Sequence, residues 1–175
     1  MTKKLLYFLL LVTATGIAQQ GQLFPSPLRK LPTWVRKEFF GRNFDQQYTI
    51  TFARHPVYLK GDFNGDGRKD FAIQVQDNKT NKDGIMILHG KKQQTISIPV
   101  SIVGTGKILE NASGDFQTMD MWELLKSYAV PRINEMSIRS GDIIRLAKRG
   151  SDGGYIYWNG KQYAWMKEHS KKATK

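Results

Sequence analysis

The chain of 175 residues contains no cysteine. That excludes disulfides, thiolate metal sites, cysteine nucleophiles and a lipid-modified N-terminal cysteine. In a secreted protein it also means that the fold must stand on its core and, where one is present, a metal. Histidine is scarce: His55, His89 and His169 are the full set, and no two stand at metal-ligand spacing, which argues against zinc. Acidic residues are in the minority, 15 against 27 lysines and arginines, for a formal charge of +12. Such a surface attracts anions, although a solvated basic surface with no dedicated partner is the simpler reading. Long apolar runs are missing as well. The apolar stretch at 5–12 is far short of the ~20 residues that span a bilayer.

That short run, preceded by Lys3 and Lys4 and followed by Gly16 and Ala18, reads as a signal peptide over residues 1–18. A periplasmic or secreted location follows, with an uncleaved N-terminal anchor as the alternative. Removal of 1–18 leaves 25 cations against 15 anions, so the mature chain stays basic. Residues 19–30, with Pro25 and Pro27, read as an irregular lead-in, and 169–175 as a basic, mobile tail. Between them 31–168 is long enough for one domain.

Within that domain, a helix is expected over 32–40. Pro32 suits its first turn, Gly41 its end, and Leu31, Trp34, Val35 and Phe39 form an apolar stripe. Period-two alternation predicts strands at 47–52, 57–60, 71–76, 85–89, 95–100 and 142–147. Residues 101–114 carry no clear pattern. Thr118 caps a second expected helix over 119–130, with Met121, Leu124, Leu125 and Tyr128 inward and Pro131 ending it. Asn159-Gly160 predicts a two-residue hairpin turn that sets Ile156 opposite Tyr163 and Trp158 opposite Lys161. One hairpin face carries Ile156, Trp158, Tyr163 and Trp165, and the other carries Tyr155 and Tyr157. The expected fold class is α+β: an antiparallel meander with two packed helices.

The most specific stretch is Asp62-Phe63-Asn64-Gly65-Asp66-Gly67-Arg68-Lys69-Asp70. Oxygen-bearing side chains stand at relative positions 1, 3, 5 and 9, with glycine at 6. Alternate residues of a tightly curled loop turn their oxygens inward, and a hard cation such as Ca²⁺ prefers several such oxygens in irregular geometry. A helix-loop-helix calcium hand would need glutamate at position 12, which here is Ile73 in a strand pattern. The loop therefore joins two strands. With its flanks, residues 59–73, it resembles the Asp-x-Asp/Asn-x-Asp-Gly-x-x-Asp loops of FG-GAP and VCBS-type repeats of secreted bacterial proteins. That resemblance implies Asp62, Asn64, Asp66 and Asp70 as side-chain ligands, with the Arg68 carbonyl completing the shell around Ca²⁺. The loop occurs once, so the resemblance does not carry a propeller with it.

The functional expectation is an exported Ca²⁺-binding domain whose loop is structural, serving a binding or structural role. An anion-binding module for polysaccharide or nucleic acid is the alternative. It draws on paired cations at Arg29-Lys30, Arg36-Lys37, Lys91-Lys92, Lys148-Arg149 and Lys171-Lys172, with Tyr155 and Tyr157 as candidate stacking residues unless that face is covered. A hydrolase is the third reading. Ser113-Gly114-Asp115 and Ser140-Gly141-Asp142 look like turns, not nucleophile elbows, and spacing alone cannot pair the remaining carboxylates.

Overall fold

The computed structural model describes residues 26–90, 98–106, 114–130, 141–150 and 153–168. The expected signal segment 1–18 and tail 169–175 lie outside them. No described helix is long and apolar enough to cross a membrane.

Chain order runs through α1 (Ser26–Arg29), α2 (Thr33–Gly41), β1 (Tyr48–Ile50), β2 (Tyr58–Gly61), β3 (Asp70–Asp77), β4 (Asp83–Leu88), β5 (Val100–Gly104), β6 (Met121–Leu125), β7 (Ile143–Ala147), β8 (Gly154–Trp158) and β9 (Tyr163–Lys167). All pairings are antiparallel. The first sheet runs β1-β3-β4-β5, and β2 shares the β3 edge with β1. β2 takes the first half of β3 (Gly61 opposite Asp70) and β1 the last (Tyr48 opposite Asp77). The second sheet is the meander β6-β7-β8-β9.

The two sheets face each other. Ala72, Ile85, Ile87 and Val103 from the first meet Trp122, Ile144, Leu146, Ile156 and Trp165 from the second in one buried cluster. The other face of the first sheet, with Phe71, Ile73, Val75, Met86 and Leu88, is covered by Leu31, Val35 and Phe39 of the α2 segment. β3 and β4 thus bury both faces, which explains the unbroken apolar run Ile85–Leu88 of β4 and the burial of Gln74 within β3. The α2 stripe packs as its spacing implies.

The expectation of an α+β fold with two packed helices is corrected. The architecture is a β-sandwich of two antiparallel sheets, and α2 is the one helix of more than a single turn among the described residues. The expected second helix at 119–130 is instead β6 followed by a 3-10 turn, Ser127–Ala129. Trp122 enters the sandwich core, where Leu124 packs against it, while Met121 is 44% and Tyr128 88% exposed. The working period there is two, not 3.6. Pairing of Trp122 with Leu146 on β7 overrides the helical propensity of the segment. Residues 95–97 of the strand expected at 95–100 lie outside the described residues, and β5 starts at Val100, the last residue of that expectation, and continues to Gly104 in the stretch without a clear pattern.

The last hairpin closes with a four-residue loop. Ile156 pairs with Trp165 and Trp158 with Tyr163, two residues from the expected register. The Asn159 side-chain oxygen accepts the Lys161 and Gln162 amides at 2.9 Å, and Asn159 N–H donates to the Gln162 carbonyl. This local acceptor closes the loop in place of a primed two-residue turn. A shift of two keeps every side chain on its face.

Tyr155 and Tyr157 point away from the sandwich but are 8% and 5% exposed, packed with Val130, Ile143 and Ala164. They do not offer the open stacking platform expected of them. The Tyr155 hydroxyl donates to Glu168 at 3.0 Å, and Arg145 on β7 forks between Glu168 and Glu123, at 2.8 Å from each. Burial pushes the Glu168 carboxyl up, but bonds from Arg145 and Tyr155 outweigh it and hold it below the ordinary range. A depressed carboxylate stabilises the fold above its unfolded value, about 4.3, and that contribution fades as pH falls through the folded value. Glu168→Gln is therefore expected to flatten the acid-side loss of melting temperature. An unchanged acid limb would show that Glu168 does not contribute to it.

Candidate calcium loop

β2 and β3 are adjacent antiparallel strands, so residues 62–69 connect them across one end of the first sheet. The loop curls around its first acid. Asp62 accepts the Asp66 amide at 3.0 Å on one oxygen and the Gly67 amide at 2.8 Å on the other. Asn64 Oδ1 also accepts the Asp66 amide, at 3.1 Å. Asp66 accepts the Arg68 amide at 2.9 Å and meets the Arg68 guanidinium at 3.1 Å. Such a curl needs left-handed backbone, supplied by Gly65 (φ 71°) and Gly67 (φ 83°). Burial pushes the Asp66 carboxyl up, and bonds from Arg68 and Asn64 more than reverse this, holding it below the usual range.

Asp70 differs from the others. It is fully buried at the first position of β3 and turns inward. Its oxygens accept the Phe63 amide at 2.9 Å and the Gly90 amide at 2.7 Å, and His89 Nδ1 lies 3.5 Å from it. His89 stacks on Tyr163 at 5.8 Å, and Trp158 meets Tyr163 edge-on at 5.0 Å. Burial and the charges of Asp70, Asp62 and Asp66 push the Tyr163 phenol far up. His89 Nδ1 and the Tyr163 hydroxyl are buried without a hydrogen-bond partner among the described residues.

The loop is also fixed to the second sheet. Asp142, next to β7, accepts the Asp62 amide at 3.0 Å and donates its own N–H to the Asp62 carbonyl at 2.6 Å. Lys126 Nζ holds both Asp142 oxygens at 2.8 Å. Phe63 is fully buried in the sandwich core. A Cβ at Gly141 would stand 2.5 Å from the Phe63 carbonyl oxygen and 3.1 Å from the Gly65 nitrogen. Backbone atoms cannot yield as a flexible side chain does, so Gly141→Ala is expected to displace the loop and cost about 1–3 kcal/mol. A thermal melt within 1 °C of the parent would contradict that packing. No local pattern ties Asp142, Gly141, His89 or Tyr163 to the loop, because all reach it from distant segments.

Among the described residues no three His, Cys, Asp or Glu side chains stand close enough to hold a metal by themselves. Asp62 and Asp66 face loop amides, Asp70 faces inward, and the rest of the expected shell is the Asn64 amide and the Arg68 carbonyl. This donor set still suits a hard cation. All its atoms are oxygens, and a carboxylate has about four lone-pair sites, so an oxygen that accepts one N–H retains capacity for an ion. The negative charge of Asp62, Asp66, Asp70 and nearby Asp142 exceeds what Arg68 and Lys126 return.

One other cleft, of about 370 Å³ along β6 and β7, gathers His55, Asp120, Glu123, Arg145 and Arg149. Among the described residues no serine, threonine or cysteine lines it. Arg145 is engaged by Glu123 and Glu168, and Asp120 by the Arg149 amide at 2.9 Å. No family model, curated protein or solved structure matches this chain.

Proposed function

We propose that this chain is an exported Ca²⁺-binding domain whose single loop has a structural role, and that it acts by binding or scaffolding. The observation that carries the reading is the loop's double attachment. Its oxygens gather around a curled backbone at 62–68, and the same backbone is bonded to Asp142 of the second sheet. An ion held by Asp62, Asn64, Asp66 and the Arg68 carbonyl would neutralise the clustered acids. It would brace the junction between the sheets. Asp70 serves as the inner anchor through Phe63 and Gly90, and its remaining lone pairs are its share of the ion.

Terbium, an ion of similar size and hardness, tests the reading. Tyr163 and Trp158 lie behind the loop and are placed to sensitise its luminescence. Saturable emission is expected, displaced by Ca²⁺ and poorly by Mg²⁺, which demands a stricter octahedral shell. Asp66→Ala should lose the signal. No saturable emission from the parent protein would refute the reading.

A further inference from the structure

We propose that the groove between α2 and the β2-β3 edge is a binding site for an acidic, carboxylate-bearing sugar chain. The groove has a volume of about 540 Å³, within the range of about 300–1,000 Å³ typical of small-ligand sites. Its walls bring together Lys37 of α2, Lys60 of β2 and Lys69 of the calcium loop, three cations from separate parts of the sequence. All three are exposed, and none is in an ion pair among the described residues. Glu38 is the one acid among the described residues of the lining, against three lysines, so their summed charge is positive.

Between the lysines lies an aromatic floor. Trp34 is half-buried, with its ring perpendicular to that of Phe71 at 5.1 Å (interplanar 87°). Lys60 Nζ stands over the Phe71 ring, 5.5 Å from its centre, so its ammonium caps the aromatic wall in a cation–π contact. An aromatic surface ringed by cations suits a ligand that is both flat-faced and anionic. A pyranose packs its C–H face on an indole and presents carboxylates at its edge to the ammonium groups.

The floor selects the polymer. Lysine point charges accept carboxylate or phosphate alike. Single-stranded nucleic acid wants successive stacking rings, and among the described lining residues Trp34 is the one ring that is not buried, which suits a pyranose face better than a run of bases. The site goes beyond the calcium reading and does not depend on an ion in the loop.

The test is a calorimetric titration at fixed Ca²⁺ with three probes: tetragalacturonate, its methyl-esterified neutral form, and tetrathymidylate. Saturable binding of tetragalacturonate is expected, at least about tenfold tighter than of the ester. Trp34→Ala and the double variant Lys37→Ala/Lys60→Ala should each weaken it about tenfold or more. Lys148→Ala/Lys167→Ala, equally basic and exposed but outside the groove, should leave it unchanged. Circular dichroism of each variant guards against loss of fold. Three results would overturn the proposal: no saturable binding at millimolar sugar, equal weakening by the control pair, or tighter binding of tetrathymidylate.

Discussion

Calcium is expected to raise the melting temperature by about 5–10 °C at a hundredfold excess over Kd. A ligand that binds only the folded state at that excess adds about 2.7 kcal/mol. For a domain of this size each kcal/mol moves the midpoint by roughly 2–4 °C. Asp62→Ala and Asp66→Ala should each abolish the rise, because each removes a carboxylate from a shell that has few. Gly141→Ala should reduce it, since it pushes the loop off the second sheet without touching a ligand. Magnesium at the same concentration should give a much smaller shift. A calcium shift that survives in Asp62→Ala would place the ion elsewhere.

The second large effect is expected at Arg54, which is only 2% exposed. Its guanidinium donates to the Met119 carbonyl at 2.6 Å, to Gln74 at 3.3 Å and to the Phe116 carbonyl, and pairs with Asp83 at 3.5 Å. Gln74 returns a bond to the Arg54 carbonyl at 2.9 Å. This network ties the segment between β1 and β2 to β3, β4 and the segment leading into β6. Burial pushes the guanidinium down in pKa while Asp83 pulls it up, and it stays charged. Arg54→Ala leaves Asp83 and two carbonyls without their partner in the interior. The expected cost is about 3–5 kcal/mol, roughly 6–20 °C in melting temperature. Arg54→Lys should recover only part of it, because an ammonium cannot reproduce the planar fork. In a double-mutant cycle with Asp83→Ala, the combined loss should be smaller than the sum of the two. A loss under 1 kcal/mol for Arg54→Ala would mean that the network contributes little to the fold.

Strands whose neighbours enforce alternation were legible in the sequence. β2, β3, β4, β7, β8 and β9 stand within a few residues of their expected places, and α2 follows its Pro32 and Gly41 signals. The segment 119–130 was not legible, because Met121, Leu124, Leu125 and Tyr128 fit a helical stripe as well as Trp122 and Leu124 fit a strand. Partners on β7 decided between them, and those lie about twenty residues away. The error propagated to the fold class, since losing one helix and gaining one strand completes a second sheet. The hairpin register was missed for a different reason: the Asn159 side chain closes a wider loop than Asn-Gly usually makes.

For the site, the curl of 62–70 was legible because its determinants are local: oxygens at fixed spacing and glycines at positive φ. Its attachment to Asp142 joins residues 80 positions apart, which no spacing rule can reveal. The same holds for Lys37, Lys60 and Lys69, which look scattered along the chain and meet only because α2 lies across the first sheet. Tyr155 and Tyr157 show the opposite case. The alternation placed them correctly on the outer face, but it could not say that Val130 and Ile143 pack there.

Calcium binding to the metal-free protein, measured by isothermal titration calorimetry, tests the central claim most directly. One ion per chain is expected, with binding absent in Asp66→Ala while the Lys37→Ala/Lys60→Ala variant binds as the parent does. No heat of binding up to millimolar Ca²⁺, or undiminished binding in Asp66→Ala, would contradict a calcium loop at residues 62–70.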